Sequence, residues 1–171
     1  YDKFHPNGDN IYRITTFTNG REGVFDEARA TYSLLFKEQL VDNYSFIERI
    51  TNLNSFFKGE IRSQHKILNI RSFYTDNDFF HIFGFEIIEG SSNPLSEPFN
   101  VVLSEELAEK LFPKESAIGQ TIDFEDHGNY KVTAIVKTPP GKTHMVFEAL
   151  ASINTLPLLV EKKINSDNSQ R

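Results

Sequence analysis

Hydrophobic and polar positions follow the clearest pattern between residues 99 and 136, and this stretch predicts a compact strand, helix and hairpin unit. An apolar, β-branched run at residues 101–103 predicts a strand. Ser104 follows it in the position of a helix N-cap, because its hydroxyl can accept an amide of the first turn. Apolar residues at helical spacing then continue to Pro113, which ends the helix.

Two further strands complete this unit. Residues 121–124 predict a short strand, and Gly128 with Asn129 predicts the turn that follows it. Beyond the turn, every second residue is apolar. Strict alternation predicts that one face of this last strand is formed by Tyr130, Val132, Ala134 and Val136.

The rest of the chain shows shorter patterns of both kinds. Strands are predicted at residues 11–18, 67–74, 85–88 and 148–153, and residues 62–66 are predicted to end a hairpin. Helices are predicted at residues 30–43 and after Asp76, where Gly84 provides the C-cap. Residues 46–57 are β-prone but irregular. From Glu161 onward the chain is polar and is expected to fray.

Composition narrows the class of protein. The 171 residues are 39% hydrophobic and include 16 Phe and 6 Tyr, which is enough to build a core and is atypical of a disordered chain. The net charge is −6, with Lys and Arg dispersed along the chain. This pattern argues against binding to nucleic acid or to anionic lipid, because both need a concentrated basic surface.

The absence of Cys excludes thiol catalysis, disulfides and Cys-type zinc sites. No apolar run approaches the ~20 residues that cross a membrane. The sequence therefore predicts a soluble piece without a signal peptide. Its start, which is not Met, is what we expect of a piece excised from a longer membrane protein.

Two short motifs resemble ligand sites but fail on spacing. Residues 76–78 read Asp-Asn-Asp, like the start of an EF-hand loop, but Phe80 and His81 occupy the next ligand and glycine positions. Residues 141–143 read Gly-Lys-Thr, like the end of a P-loop, but the first glycine of that motif would fall at Val136. We therefore interpret the first motif as a helix cap and the second as a turn.

The remaining ionisable residues form no catalytic or metal-binding signature. The five His residues are neither paired at i,i+4 nor placed in a metal motif: His5, His65, His81, His127 and His144. The carboxylate pairs at residues 105–106 and 125–126 favour capping or solubility, and no nucleophile elbow is present. The sequence thus predicts no catalytic residue, no metal and no cofactor.

Phe56 and Phe57 are the candidate partner contacts. Consecutive residues of a strand point to opposite faces, so one of these two rings is exposed unless both faces are covered. Two interpretations stay open: a strand buried on both faces, or an apolar patch that contacts a partner.

Taken in order, several segments form a series that resembles a known family. The segments are YDKFHPNGDNIYRI, DNDFFHIFGFEIIEG, PFNVVLSEELAEKLFP, IGQTI, YKVTAIV and TPPGKTHMVFEAL. Their order and spacing over residues 1–154 resemble the MacB-like periplasmic core domain of ABC-transporter permeases of the MacB, FtsX and LolC group, particularly those of Bacteroidetes type.

The resemblance implies an α+β fold and a role in transport. Members are two-lobed, with a porter-like α/β lobe built from early and late segments and an inserted β-rich lobe, here at roughly residues 46–135. They lie in the periplasm between two transmembrane helices of a permease of the cytoplasmic membrane. The resemblance implies a non-catalytic domain that couples ATP-driven transmembrane motion to export or signalling. The implied partners are a cytoplasmic ABC ATPase subunit and a periplasmic adaptor or second permease copy.

The sequence departs from the family pattern at two places. The family segment that leads back to the membrane continues well past the position of Ser152, whereas residues 155–171 read here as a polar tail. The family turn after the double proline often carries Asn-Ser before His, whereas this chain has Gly141-Lys142-Thr143. The middle section, residues 46–65, also matches weakly. The alternative interpretation is a free-standing hydrolase or small-ligand binding domain with a cleft between its lobes.

Overall fold

The computed structural model describes residues 8–14, 34–54, 58–63, 66–124, 127–138 and 145–168. This part of the chain combines helices with a large mixed sheet. Its helices are a 3-10 turn at Gly8–Asn10, α1 (Leu34–Asn43), α2 (Asp78–Phe83), α3 (Glu105–Leu111) and α4 (Thr155–Asn168). Its strands are β1 (Lys58–Ser63), β2 (Lys66–Thr75), β3 (Ile87–Gly90), β4 (Asn100–Ser104), β5 (Thr121–Phe124), β6 (Gly128–Val136) and β7 (Ala149–Ser152).

The seven strands form one sheet in the order β3-β6-β4-β7-β2-β1-β5, and β5 also pairs with β6. This last pairing closes six of the strands into a ring and leaves β3 outside it, on β6. The pairings β2–β7 and β4–β6 are parallel and the others are antiparallel. A closed ring satisfies backbone hydrogen bonds along both edges of its strands and gives a stiff body.

Two hydrophobic clusters pack on opposite faces of the central strands. The first contains Val101 and Leu103 of β4, and the second contains Val102. The same alternation separates Ala149 from Leu150 on β7. Because both faces are covered, the central strands are apolar throughout, as the run at residues 101–103 predicted.

The predicted alternation of β6 is wrong in its second half. Tyr130 and Val132 belong to the first cluster, whereas Ala134 and Val136 belong to the second. The register against β4 shifts at this point, so that a β-bulge inserts one residue and exchanges the faces. Thr133 occupies the bulge, and its hydroxyl lies 2.9 Å from the carbonyl of Pro94 and 3.2 Å from that of Val101.

Two of the predicted helix ends are confirmed. Ser104 is the N-cap of α3, and its Oγ accepts a hydrogen bond from the Leu107 amide at 3.3 Å. Gly84 ends α2 with φ 71°, in the left-handed conformation that favours glycine. The helix that it closes places Phe79 and Phe80 in the second cluster.

Other sequence predictions are corrected by the structure. Residues 155–168 form α4 rather than a polar tail, because Leu156 and Leu159 pack against the first cluster. The described residues 46–54 contain no strand, only an isolated bridge from Asn54 to Tyr74. Residues 11–14 are not in a strand, and residues 15–18 lie outside the described part. The α+β class is confirmed, while the division into two lobes stays a prediction.

Candidate functional site

The two Phe residues predicted to contact a partner, Phe56 and Phe57, lie outside the described residues. Their role therefore stays a prediction. The described residues carry a different candidate surface, formed by α1, the segment that follows it and the start of α2.

An ion-pair cluster fixes α1 against the start of α2. Lys37 of α1 places its Nζ 2.8 Å from Asp76 Oδ2 and 3.2 Å from Asp78 Oδ2. Arg49 places a guanidinium nitrogen 3.0 Å from the other oxygen of Asp78. The Thr51 hydroxyl and the Asp78 amide both donate to Asp76 Oδ1, at 2.9 and 3.1 Å. Two carboxylates and two cations thus tie together three segments of the chain.

The environment of Lys37 keeps it charged. Partial burial by itself favours the neutral amine and lowers the pKa, but the hydrogen bonds and negative charges of Asp76 and Asp78 outweigh burial. The pKa of Lys37 is therefore raised above its ordinary value. Because both carboxylates are paired with protein cations, the motif at residues 76–78 acts as an ion-pair partner. The predicted cap at Asp76 is wrong by one residue, since Asn77 is the N-cap of α2 and its side chain forms no capping hydrogen bond.

An open groove of about 500 Å³ lies beside this cluster. Its walls combine charged side chains with two aliphatic ones: Lys37, Val41, Asp42, Glu48, Arg49, Ile50 and Asp78. Ile50 is buried and anchors the segment, whereas the residues between Val41 and Arg49 are largely exposed.

Two aromatic rings stand out from the same segment. The Tyr44 side chain is 48% exposed and that of Phe46 is 82% exposed. Their ring centroids lie 5.7 Å apart in an edge-to-face arrangement. Sequence reasoning missed this pair because it ended the preceding helix at residue 43, which left Tyr44 unassigned, and interpreted residues 46–57 as β-prone but irregular.

A second polar feature is enclosed within the first core cluster. Tyr74 and Tyr130 are fully buried, and their hydroxyl oxygens lie 2.8 Å apart. Tyr74 Oη also lies 3.3 Å from His127 Nδ1, and Tyr130 forms a further hydrogen bond with Thr155. Thr155 in turn accepts the Phe99 amide at 2.8 Å.

Burial determines what these tyrosines can do. Desolvation raises the pKa of Tyr74, and the bond from Tyr130 raises it further. Desolvation also raises the pKa of Tyr130, more than the bonds from Tyr74 and Thr155 lower it. Both phenols therefore stay protonated at neutral pH and act as hydrogen-bonding groups that join β2, β6 and α4.

The other candidate residues are dispersed or lie outside the described part. His81 and the carboxylates at residues 105–106 are exposed. Within the described ranges, no group of three or more His, Asp or Glu is placed to hold a metal ion. The remaining candidates lie outside them: His5, His65, His144 and residues 125–126 and 141–143. None of the described helices is both long and apolar enough to cross a membrane.

Comparison with known proteins gives a family. The sequence model described as MacB-like periplasmic core domain matches residues 1–168. No curated protein sequence matches the chain.

Three solved structures share the fold, each with a TM-score of 0.59. The periplasmic region of MacB from Actinobacillus actinomycetemcomitans is 16% identical over 71% of this chain and 56% of that structure. A domain of a putative permease from Porphyromonas gingivalis is 16% identical over 68% and 50%, respectively. The extracellular domain of the ABC-type transporter YknZ from Gram-positive bacteria is 15% identical over 74% and 65%. The chain thus spans one half to two thirds of these structures, and at this identity the likeness is one of fold.

Proposed function

Because this chain belongs to the family of MacB-like periplasmic core domains, we propose that it couples ATP-driven motion of a membrane permease to export or signalling outside the membrane. The observation that carries the proposal is the family match over residues 1–168. Domains of this family belong to ABC-transporter permeases and are not known as enzymes. The domain would be held by the transmembrane part of the permease and would itself catalyse nothing.

The contacts of the described residues support a mechanical role. The paired strands close into a ring, and both faces of the central strands are covered by hydrophobic clusters. The buried hydroxyls of Tyr74, Tyr130 and Thr155 bond to one another rather than to an open cleft. A closely packed sheet deforms little, so it can pass on a displacement applied at one end.

The proposed partners follow from this role. A cytoplasmic ABC ATPase subunit would act on the domain through the transmembrane helices, and a periplasmic adaptor or a second permease copy would receive the motion. Coupling of this kind requires that the two ends of the domain engage different proteins.

Membrane topology tests the location. The chain has no Cys, so one Cys introduced at Val160, which is 59% exposed on α4, reports on a single site. We expect Val160→Cys in the full-length protein to react with a membrane-impermeant maleimide in intact cells. Reaction only after permeabilisation would overturn the extracytoplasmic position. Ile67→Cys, 60% exposed on β2, provides an independent second site.

Removal of the domain tests the coupling. The full-length permease is reconstituted with its ATPase in lipid vesicles, with and without residues 1–168 replaced by a Gly-Ser linker. We expect the ATPase still to bind ATP. ATP-dependent transport, or the stimulation of ATP hydrolysis that accompanies transport, should be lost. Transport that continues unchanged without the domain would contradict the proposal.

A further inference from the structure

We propose that the groove beside α1, together with the exposed rings of Tyr44 and Phe46, is a docking site for an arginine-bearing segment of a partner protein. The inference goes beyond the proposed function, because it assigns a binding surface that does not depend on transport. It also differs from the predicted contacts at Phe56 and Phe57. We call this surface, formed by Val41, Asp42, Tyr44, Phe46 and Glu48, the α1 groove surface.

Exposed apolar side chains are concentrated in the α1 groove surface. Val41, Tyr44 and Phe46 expose 42%, 48% and 82% of their surface within six residues of one another. Single exposed apolar residues are ordinary, but a cluster of them beside a groove marks an interaction surface. An aromatic side chain has only two torsions, so binding to these rings orders few degrees of freedom.

The groove carries negative charge that its own cations do not neutralise. The two cations on its wall, Lys37 and Arg49, are already paired with Asp76 and Asp78. Asp42 and Glu48 also line the groove and are exposed, and they form no ion pair or hydrogen bond with any residue that the structure describes. The segment of residues 41–48 therefore carries two available negative charges and two exposed aromatic rings.

These two features together select the guanidinium group. Its planar, delocalised cation stacks on aromatic rings and pairs with a carboxylate through two hydrogen bonds. Lysine would satisfy the carboxylates, but as a point charge it gains less from the rings. An acidic segment would meet Asp42 and Glu48 unfavourably. A second copy of this chain brings a net charge of −6, which opposes self-association through this surface.

Titration of the isotope-labelled 171-residue chain tests the proposal. The probe is a short synthetic peptide of alternating Arg and Leu, and the matched peptides carry Lys or Glu in place of each Arg. We expect the Arg peptide to shift the amide NMR signals of residues 41–50, the Lys peptide to bind more weakly and the Glu peptide not to bind. No shift of these signals at millimolar Arg peptide would overturn the proposal, as would equal binding of the Glu peptide.

Matched variants distinguish specific binding at this surface from non-specific attraction to the negatively charged protein. The double variant Asp42→Asn, Glu48→Gln should weaken binding about tenfold, and Phe46→Ala about fivefold. The control Glu97→Gln, Glu109→Gln removes the same charge from exposed sites elsewhere and should leave binding unchanged. Equal weakening in both charge variants would mean non-specific attraction and would overturn the site.

Sedimentation of the same variants distinguishes self-association through this surface from binding of a different protein. The chain is expected to stay monomeric in the concentration range of the titration. Self-association that Phe46→Ala abolishes would assign the surface to a second copy and overturn the proposed occupant. Binding of free arginine amide as tightly as the Arg peptide would assign it to a small cation and overturn the proposal as well.

Discussion

The hydroxyl oxygens of Tyr74 and Tyr130 lie 2.8 Å apart in the interior of the protein, and neither side chain is exposed to solvent. Tyr74 belongs to β2 and Tyr130 to β6, which do not pair directly in the sheet. Their bond therefore crosses the interior of the strand ring. Through Thr155 it continues to α4, and through His127 it reaches the turn before β6. Three segments that are distant in sequence, β2, β6 and α4, thus share one chain of hydrogen bonds.

Removal of either hydroxyl should leave buried partners unsatisfied. We expect Tyr74→Phe and Tyr130→Phe each to lower the free energy of unfolding by about 1–3 kcal/mol, because the remaining polar atoms lose a partner without gaining water. The double variant should cost less than the sum of the single ones, with a coupling energy of about 0.5–3 kcal/mol. Urea unfolding at neutral pH measures all three. Tyr44→Phe, which changes an exposed ring, serves as the control and should stay within about 0.5 kcal/mol of the parent. Strictly additive losses would contradict a shared network.

The same two tyrosines predict a loss of stability in alkali. Their folded-state pKa values are raised above the ordinary value of 10.0. Above that pH the unfolded chain releases phenolic protons that the folded protein retains, so the free energy of unfolding falls as pH rises. Each buried phenol contributes a slope of about 1.4 kcal/mol per pH unit, and its contribution is fully present below pH 10.

Urea midpoints measured at a series of pH values between about 9 and 11 test this slope. The Tyr74→Phe, Tyr130→Phe double variant should show a shallower decline than the parent. Lys37 acts in the same direction above its ordinary pKa of 10.5, because its folded-state pKa is also raised. Equal slopes in the parent and the double variant would show that the phenols do not control alkaline unfolding.

The features that the sequence predicted correctly are those that short segments determine on their own. Ser104, Pro113 and Gly84 each end or begin a helix by a local mechanism, and all three act in the structure as their positions predicted. The strands of the central unit likewise follow from runs of a few apolar residues. Such signals do not depend on how the rest of the chain folds.

The features that the sequence did not reveal depend on distant groups. The bulge at Thr133 is stabilised by the carbonyls of Pro94 and Val101, which are 39 and 32 residues away. Lys37 and Asp76 are also separated by 39 residues, so the motif at residues 76–78 gave no sign of its ion pairs. For α4 a signal existed, because Leu156 and Leu159 have helical spacing, but the polar residues after Glu161 obscured it.

The ion-pair cluster predicts a stability difference between two acidic residues. Asp76 accepts hydrogen bonds from Lys37, Thr51 and the Asp78 amide, whereas Glu86 pairs with Lys137 at the exposed surface. We expect Asp76→Ala to lower the free energy of unfolding by about 1–2 kcal/mol and Glu86→Ala by at most about 0.5 kcal/mol. Asp76→Asn should recover part of the loss, because its amide oxygen still accepts from Thr51. Urea unfolding gives the comparison, and equal costs for Asp76→Ala and Glu86→Ala would contradict it.

Gly90 and Gly128 share a backbone conformation but differ in the space around them. Their φ angles are 101° and 92°, so a side chain at either position is strained. A Cβ at Gly90 would lie 2.3 Å from the Thr133 carbonyl oxygen and 2.7 Å from the Ala134 Cα, whereas none of the atoms around Gly128 would lie within 4 Å of one.

Gly128→Ala should therefore cost only the conformational term, about 1–2 kcal/mol. Gly90→Ala should cost about 3 kcal/mol or more, because β3 must also move away from the backbone of β6. Urea unfolding measures the difference, and hydrogen exchange should show faster exchange of the amides shared by β3 and β6 in Gly90→Ala alone. If both variants lose the same stability, the close approach of residue 90 to β6 is not the reason why this position requires glycine.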